Sequence, residues 1–192
     1  IVRMLASEGV CVSIDTRHAS VARACVEAGA SIINDVSGFR DPAMVEVAQS
    51  CDAGLVVMHM GGDDPRTMQD DTTYIDVVAE VRDYLSDRAS ELEIAGITHD
   101  RICLDPGPGF GKDARQTIQL LRNMHEFVHL GYPVMVAASR KSFLQSVYQV
   151  DDEQKRDEVS CAEALMACEL GASVIRVHNV AMMAQTIKDN LR

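Results

Sequence analysis

The chain has 192 residues, 47% apolar and 24% charged, with 29 acidic against 18 basic side chains and a formal net charge of -11. That length and apolar content suit one substantial core and are short for two, so residues 1–192 are read as a single domain. The acidic balance leaves no basic face for nucleic acid or an anionic membrane, and no apolar run is long enough to cross a bilayer. A small anionic substrate needs only a few Lys and Arg side chains brought together, and stays compatible.

In chain order one pattern recurs: an amphipathic stretch ends at a Gly, a few residues follow, and a short apolar run closes on a polar residue. This is βα alternation, and it predicts an α/β fold with a parallel sheet and helices outside. Gly9, Gly29, Gly54, Gly96, Gly131 and Gly171 stand where helix C-caps need glycine. Strands are predicted at 11–15, 32–34, 55–59, 102–105, 134–137 and 174–176, giving six βα units. Residues 1–8 read as the tail of a helix, no signal peptide is visible, and the sequence is expected to open partway through a domain.

Helices are predicted at 74–95, 113–129 and 158–170. Others carry Val21, Cys25 and Ala28, open at Asp41 and Pro42, or close the chain with Met183, Ile187 and Leu191. Residues 61–71 form a long acidic loop suited to a lid. The six cysteines lie in apolar or helical stretches with no C-x-x-C pair, and read as reduced core thiols of a cytoplasmic protein.

The predicted strands end in Asp15, Asn34, His59, Asp105 and Arg176. Gly29-Ala30-Ser31-Ile32-Ile33-Asn34 and Gly171-Ala172-Ser173-Val174-Ile175-Arg176 are near-repeats that set Asn34 and Arg176 at one register. Polar groups from separate strands therefore converge on one rim, where α/β barrels carry their catalytic residues. The chain turns on Cys103-Leu104-Asp105-Pro106-Gly107-Pro108-Gly109-Phe110-Gly111-Lys112, in which a buried strand ends in a carboxylate and breaks into Pro and Gly. Its glycines allow close approach of main chain to a ligand, but their spacing fits neither a Walker loop nor G-x-G-x-x-G. His125-Glu126-Phe127-Val128-His129 matches the H-E-x-x-H zinc signature. It falls at a helix end facing away from the strand tips, no further ligand can be assigned, and it reads as ordinary helix-end residues.

With the Asp105 to Lys112 loop, Ser139-Arg140-Lys141-Ser142 and Arg176-Val177-His178 in this order, the chain resembles the dihydropteroate synthase family. Ser13-Ile14-Asp15-Thr16, Ile33-Asn34-Asp35-Val36-Ser37, Met58-His59-Met60 and Thr67-Met68-Gln69 support the resemblance, which covers essentially the whole chain. It implies a (β/α)8 TIM barrel of which only about six βα units, strands 3 to 8, are present. The implied reaction joins dihydropterin pyrophosphate to p-aminobenzoate with release of pyrophosphate. By matching positions, Asp15, Asn34, Met60, Asp105, Lys141 and Arg176 would hold the pterin, with Asp105, Lys141 and Arg176 catalytic. Phe110 and Ser142 would take p-aminobenzoate, and Arg176 with His178 would take pyrophosphate together with Mg2+. No metal ligand is expected within this chain; the family's metal-linked Asn belongs to a preceding part. A cytoplasmic homodimer paired through C-terminal helices, with residues 162–170 contributing, and sensitivity to sulfonamides are also implied.

Plainer roles stand beside these. Asp15 also reads as a helix cap, Asp35 as a group that orients the loop after Asn34, and His59 as a satisfied core histidine. Arg140 reads equally as a solvated charge or a phosphate anchor, and Lys112 as a surface residue. The chain departs from the family pattern at Pro108, where a bulky apolar residue is usual, and at Asn179, where Asp is common; Ala138, ahead of Ser139, is a smaller difference. Two other readings are a pterin-binding methyltransferase of the methyltetrahydrofolate to corrinoid type and a synthase-like protein that binds pterin without turnover. Ser139-Arg140-Lys141-Ser142 and Arg176-Val177-His178 favour the synthase.

Overall fold

A computed structural model describes residues 1–69 and 72–190. Among these described residues six short parallel strands alternate with helices. They are β1 (Ser13–Asp15), β2 (Ile32–Asp35), β3 (Gly54–Met58), β4 (Ile102–Asp105), β5 (Met135–Val136) and β6 (Val174–Ile175). The first four pair in chain order, β5 pairs with β6, and a parallel bridge between Leu104 and Val134 joins the two groups. Six strands laid flat would hold their outer members about 24 Å apart. Yet Arg176, just after β6, pairs with Asp15 at the tip of β1 at 3.2 Å. The sheet is therefore curled into an arc, a β/α barrel left open between β6 and β1.

Strand register decides which side chains face the helices. Ile14, Ile33, Leu55 and Ile102 lie on one row of partners, are buried, and belong to the main apolar core. Asp15, Asn34, Val56 and Cys103 make the next row and point to the concave side, as the two-residue period requires. The helices supply the other half of the core: α2 (Ala19–Glu27), α3 (Pro42–Gln49), α4 (Val77–Ile94), α5 (Ala114–Arg122) and α8 (Glu153–Glu169). In α4, Val77, Val81, Leu85, Ala89 and Leu92 form the buried stripe that its spacing predicts, and Asp76 caps its first turn. Helices α1 (Val2–Ser7), α6 (Met124–Val128), α7 (Ser142–Tyr148) and α9 (Val180–Asn190) complete the set.

Several expectations need correction. Residues 113–129 are not one helix: Asn123 leaves helical geometry between α5 and α6, and its side-chain amide donates to the Gln119 carbonyl. Helix α8 starts at Glu153 rather than near 158, because Asp152 accepts from the Lys155 amide as a cap. All six cysteines are free thiols, but only Cys161 is buried, and Cys11, ahead of the unpaired edge of β1, is exposed. The end of the proposed lid, Asp70 and Asp71, and Leu191 of the last helix lie outside the described residues. No helix among the described residues is long and apolar enough to cross a membrane.

Candidate active site at the strand tips

Asp15, Asn34, Asp105, Lys141 and Arg176 gather on the concave side at the C-terminal ends of the strands, with Phe110 and His178 beside Lys141. Asp105 is 2% exposed and ends β4, and its Oδ1 accepts from the Gly107 amide at 2.8 Å. Burial raises its carboxyl pKa, opposed chiefly by Lys141. Asn34, 5% exposed, faces the same side from β2, and its Oδ1 has no hydrogen-bond partner among the described residues. Such an orphan costs about 1–3 kcal/mol and calls for an explanation. Asp15 does not cap α2, whose N-cap is His18; it pairs instead with Arg176.

Lys141 immediately precedes α7 and reaches back over the glycine loop. Its Nζ donates to the Pro108 carbonyl and stands 4.4 Å from the centre of the Phe110 ring. Burial lowers its pKa to about 8, with Asp105 holding it up and Arg176 pushing it down. Met60 is buried, and Ser142 is exposed as the first residue of α7. His178 is tied at the rim: its Nδ1 lies 2.9 Å from Ser139 Oγ, which also accepts the His178 amide. Ala137, Ser139, Lys141, Arg176, Val177 and His178 line a cleft of about 300 Å³. A larger groove of about 650 Å³ lies between α4 and α5, among Asp76, Arg82, Gln116 and Glu126, and none of the strand-tip residues lines it.

The glycine loop is built by contacts that exclude side chains. Gly107 has φ +65°, and a Cβ there would meet the His59 carbonyl oxygen at 2.0 Å; at Gly111 it would meet Gly61 Cα at 2.6 Å. The loops after β3 and β4 thus touch backbone to backbone. Gln69 donates to the Gly109 carbonyl and Gly61 to that of Phe110, so the described part of the acidic loop packs on the glycine loop.

Lys112 is the residue that sequence reasoning missed. It is 3% exposed, and its Nζ lies 2.9 Å from His59 Nδ1 and 3.2, 3.0 and 2.9 Å from the carbonyl oxygens of His59, Gly107 and Phe110. The surface reading fails because the glycine loop turns back beneath its own C-terminal end. His59 is the satisfied core histidine expected: burial and Lys112 lower its pKa to about 3. Arg140 is not free for phosphate: partly exposed, it forks onto Asp157 at 2.6 and 2.8 Å and pairs with Glu153. Asn179 donates to the same Asp157 and caps α9 through the Met182 amide. Asp35 organises its loop as expected, accepting from the amides of Ser37 and Phe39.

Magnesium does not fit the groups present. Among the described residues no three His, Cys, Asp or Glu side chains converge. The cleft is lined by the cationic Lys141 and Arg176 with His178 and by no carboxylate, and Asp15 is tied to Arg176. A hard cation needs oxygen ligands instead.

Fold and site together define a β/α-barrel protein with its polar groups collected on the face where barrel enzymes hold substrate. Residues 1–178 match the family model described as pterin binding enzyme. The chain belongs to the pterin-binding enzyme family. It is 40% identical over 178 residues to a dihydropteroate synthase from Synechocystis, covering 92% of this chain and 61% of that protein. The chain thus spans about three fifths of the length of this relative. Its structure is similar to that of dihydropteroate synthase from Thermus thermophilus in complex with 4-aminobenzoate. There the TM-score is 0.95 at 39% identity, covering all of this chain and 75% of that one. With the same Thermus enzyme in complex with 6HMPPP the TM-score is 0.93, also at 39% identity, covering 98% and 74%.

Proposed function

We propose that residues 1–192 are a single pterin-binding barrel domain, incomplete at its N-terminal side, of a dihydropteroate synthase of folate biosynthesis. The reaction would join 6-hydroxymethyl-7,8-dihydropterin pyrophosphate to p-aminobenzoate and release pyrophosphate. The observation that carries this reading is the orphaned Oδ1 of Asn34, turned to the same concave side as buried Asp105. A pterin edge presents ring N–H and amino donors beside a carbonyl. Asn34 Oδ1, Asp105 and Asp15 offer acceptors to the donors, and the Lys141 ammonium donates to the carbonyl. Met60 forms part of the pocket wall, and the Arg176 guanidinium lies against the flat ring.

In the proposed chemistry the bond between the methylene carbon and the pyrophosphate oxygen breaks, and its electron pair leaves with the anion. Arg176 and His178 receive that anion. The cationic methylene left on the pterin is stabilised by the Asp105 carboxylate, and the arylamine nitrogen attacks it and loses a proton. Phe110 and the loop after β3 keep water from the cation, and Ser142 meets the benzoate carboxylate at the rim. Magnesium is assigned no residue of this chain. The enzyme is proposed to act in the cytoplasm, consistent with six free thiols, and to be a sulfonamide target. It is proposed to pair as a homodimer through its C-terminal helices, where Val180 is 67% exposed.

The test is p-aminobenzoate-dependent pyrophosphate release by the full-length protein, with Lys141→Ala expected to lower kcat/KM roughly 100-fold or more. Pterin binding without pyrophosphate release would refute the synthase reading. Adding methyltetrahydrofolate and a corrinoid acceptor would then test for methyl transfer.

A further inference from the structure

We propose that Lys112 is a positioning residue that clamps the glycine loop under the pterin pocket and couples to Asp105 through the Gly107 peptide. The proposal rests on the synthase reading for its catalytic consequence, but its geometry stands alone. Three N–H groups of one ammonium face four acceptors drawn from two loops: His59 Nδ1 and the His59 carbonyl after β3, and the Gly107 and Phe110 carbonyls after β4. Without that ammonium, these inward-facing acceptors would lose their common donor at a buried position. The clamp leads directly to the proposed site. Gly107, whose carbonyl Lys112 holds, donates its amide to Asp105 Oδ1. Phe110, held in the same way, lies under the Lys141 ammonium.

The charges facing Asp105 fall into two groups. Lys141, from the start of α7, and Arg176, after β6, stand at the mouth, where the proposed mechanism uses them on substrate. Lys112 lies beneath the site, buried, with its donors engaged on the two loops rather than turned to the mouth. Cys103, two residues back on β4, has its thiol pKa pushed up to about 12 by burial and adds no charge at neutral pH. Asp15 on β1 faces Lys141. Around Lys112 itself, burial lowers the pKa to about 7, Asp105 raises it and Lys141 lowers it. His59, with Arg40 nearby, is neutral and accepts through Nδ1. Burial raises the Asp105 carboxyl, opposed first by Lys141, then by the Gly107 amide that the clamp holds in place, and then by protonated Lys112.

The experiment uses the full-length protein labelled with ¹³C at the Asp carboxyls and ¹⁵N at the Lys ammonium groups, titrated by NMR without substrate. In Lys112→Gln, which keeps hydrogen-bond donors but no charge, the Asp105 midpoint is expected to rise by about half a pH unit or more. The acid limb of kcat/KM for the dihydropterin pyrophosphate should move with it, as a purely structural lysine would not require. In the reciprocal Asp105→Asn variant, which leaves the clamp residue in place, the Lys112 midpoint should fall by a similar amount. That arm reports the coupling even where a Lys112 variant does not fold. A wild-type Asp105 midpoint in folded Lys112→Gln, or an unmoved Lys112 midpoint in Asp105→Asn, would overturn the proposal. A wild-type protein that releases no pyrophosphate would instead defeat the synthase reading, and the two titrations would still decide the charge coupling.

Discussion

Lys141 and Lys112 lie on either side of one loop and face opposite demands. Lys112 is held by fixed backbone carbonyls, while Lys141 stands in the cleft with its pKa lowered to about 8. The protonated form of Lys141 prevails below that value and is lost as pH rises through it, so its donor to the pterin carbonyl weakens on the alkaline side. We expect kcat/KM for the dihydropterin pyrophosphate to fall about tenfold per pH unit above roughly pH 8. A profile flat to pH 9.5 would contradict this role. Both lysines are visible in the sequence, but only Lys141 reads as functional there. A glycine loop has no periodicity from which a side-chain direction can be inferred, so Lys112 looks like a loop-end charge. Arg140 is equally opaque because its partner Asp157 lies 17 residues away on α8, a contact that only the tertiary fold creates.

The glycine loop behaves as an element despite having no regular structure. Its shape depends on two backbones meeting where Gly107 faces the His59 carbonyl, and the positive φ adds to the steric demand. Gly107→Ala is expected to destabilise the protein by about 3 kcal/mol or more, from left-handed strain plus overpacking against backbone. Gly96→Ala, also at positive φ but with no atom within 4 Å of its Cβ, should cost only about 1 kcal/mol. Denaturant melts of the two variants would check the contrast, and equal losses would contradict it. The regular elements were more legible. Strands β2 and β4 sit where apolar runs end in Asn34-Asp35 and Asp105, and the α4 stripe follows its spacing. The α5–α6 break at Asn123 was not legible, since the apolar spacing runs through it and only local geometry interrupts it.

At the scale of the whole molecule, the alternation of inward and outward side chains along parallel strands is what brings Asp15, Asn34, Asp105 and Arg176 to one concave face. That convergence was readable from strand-end chemistry. The curl of the sheet that sets Arg176 against Asp15 was not, because strand order and curvature are properties of packing. The arc carries an orphaned acceptor at Asn34 that an apolar residue would relieve. The most direct test of a pterin site is therefore Asn34→Leu in the full-length protein, measured for thermal stability without ligand and for dihydropterin pyrophosphate affinity by calorimetry. The account predicts stability equal to or above wild type and affinity weakened roughly 10- to 100-fold, because the group is kept for the ligand rather than for the fold. Unchanged affinity together with lost stability would show that Asn34 serves the fold, and would contradict the site.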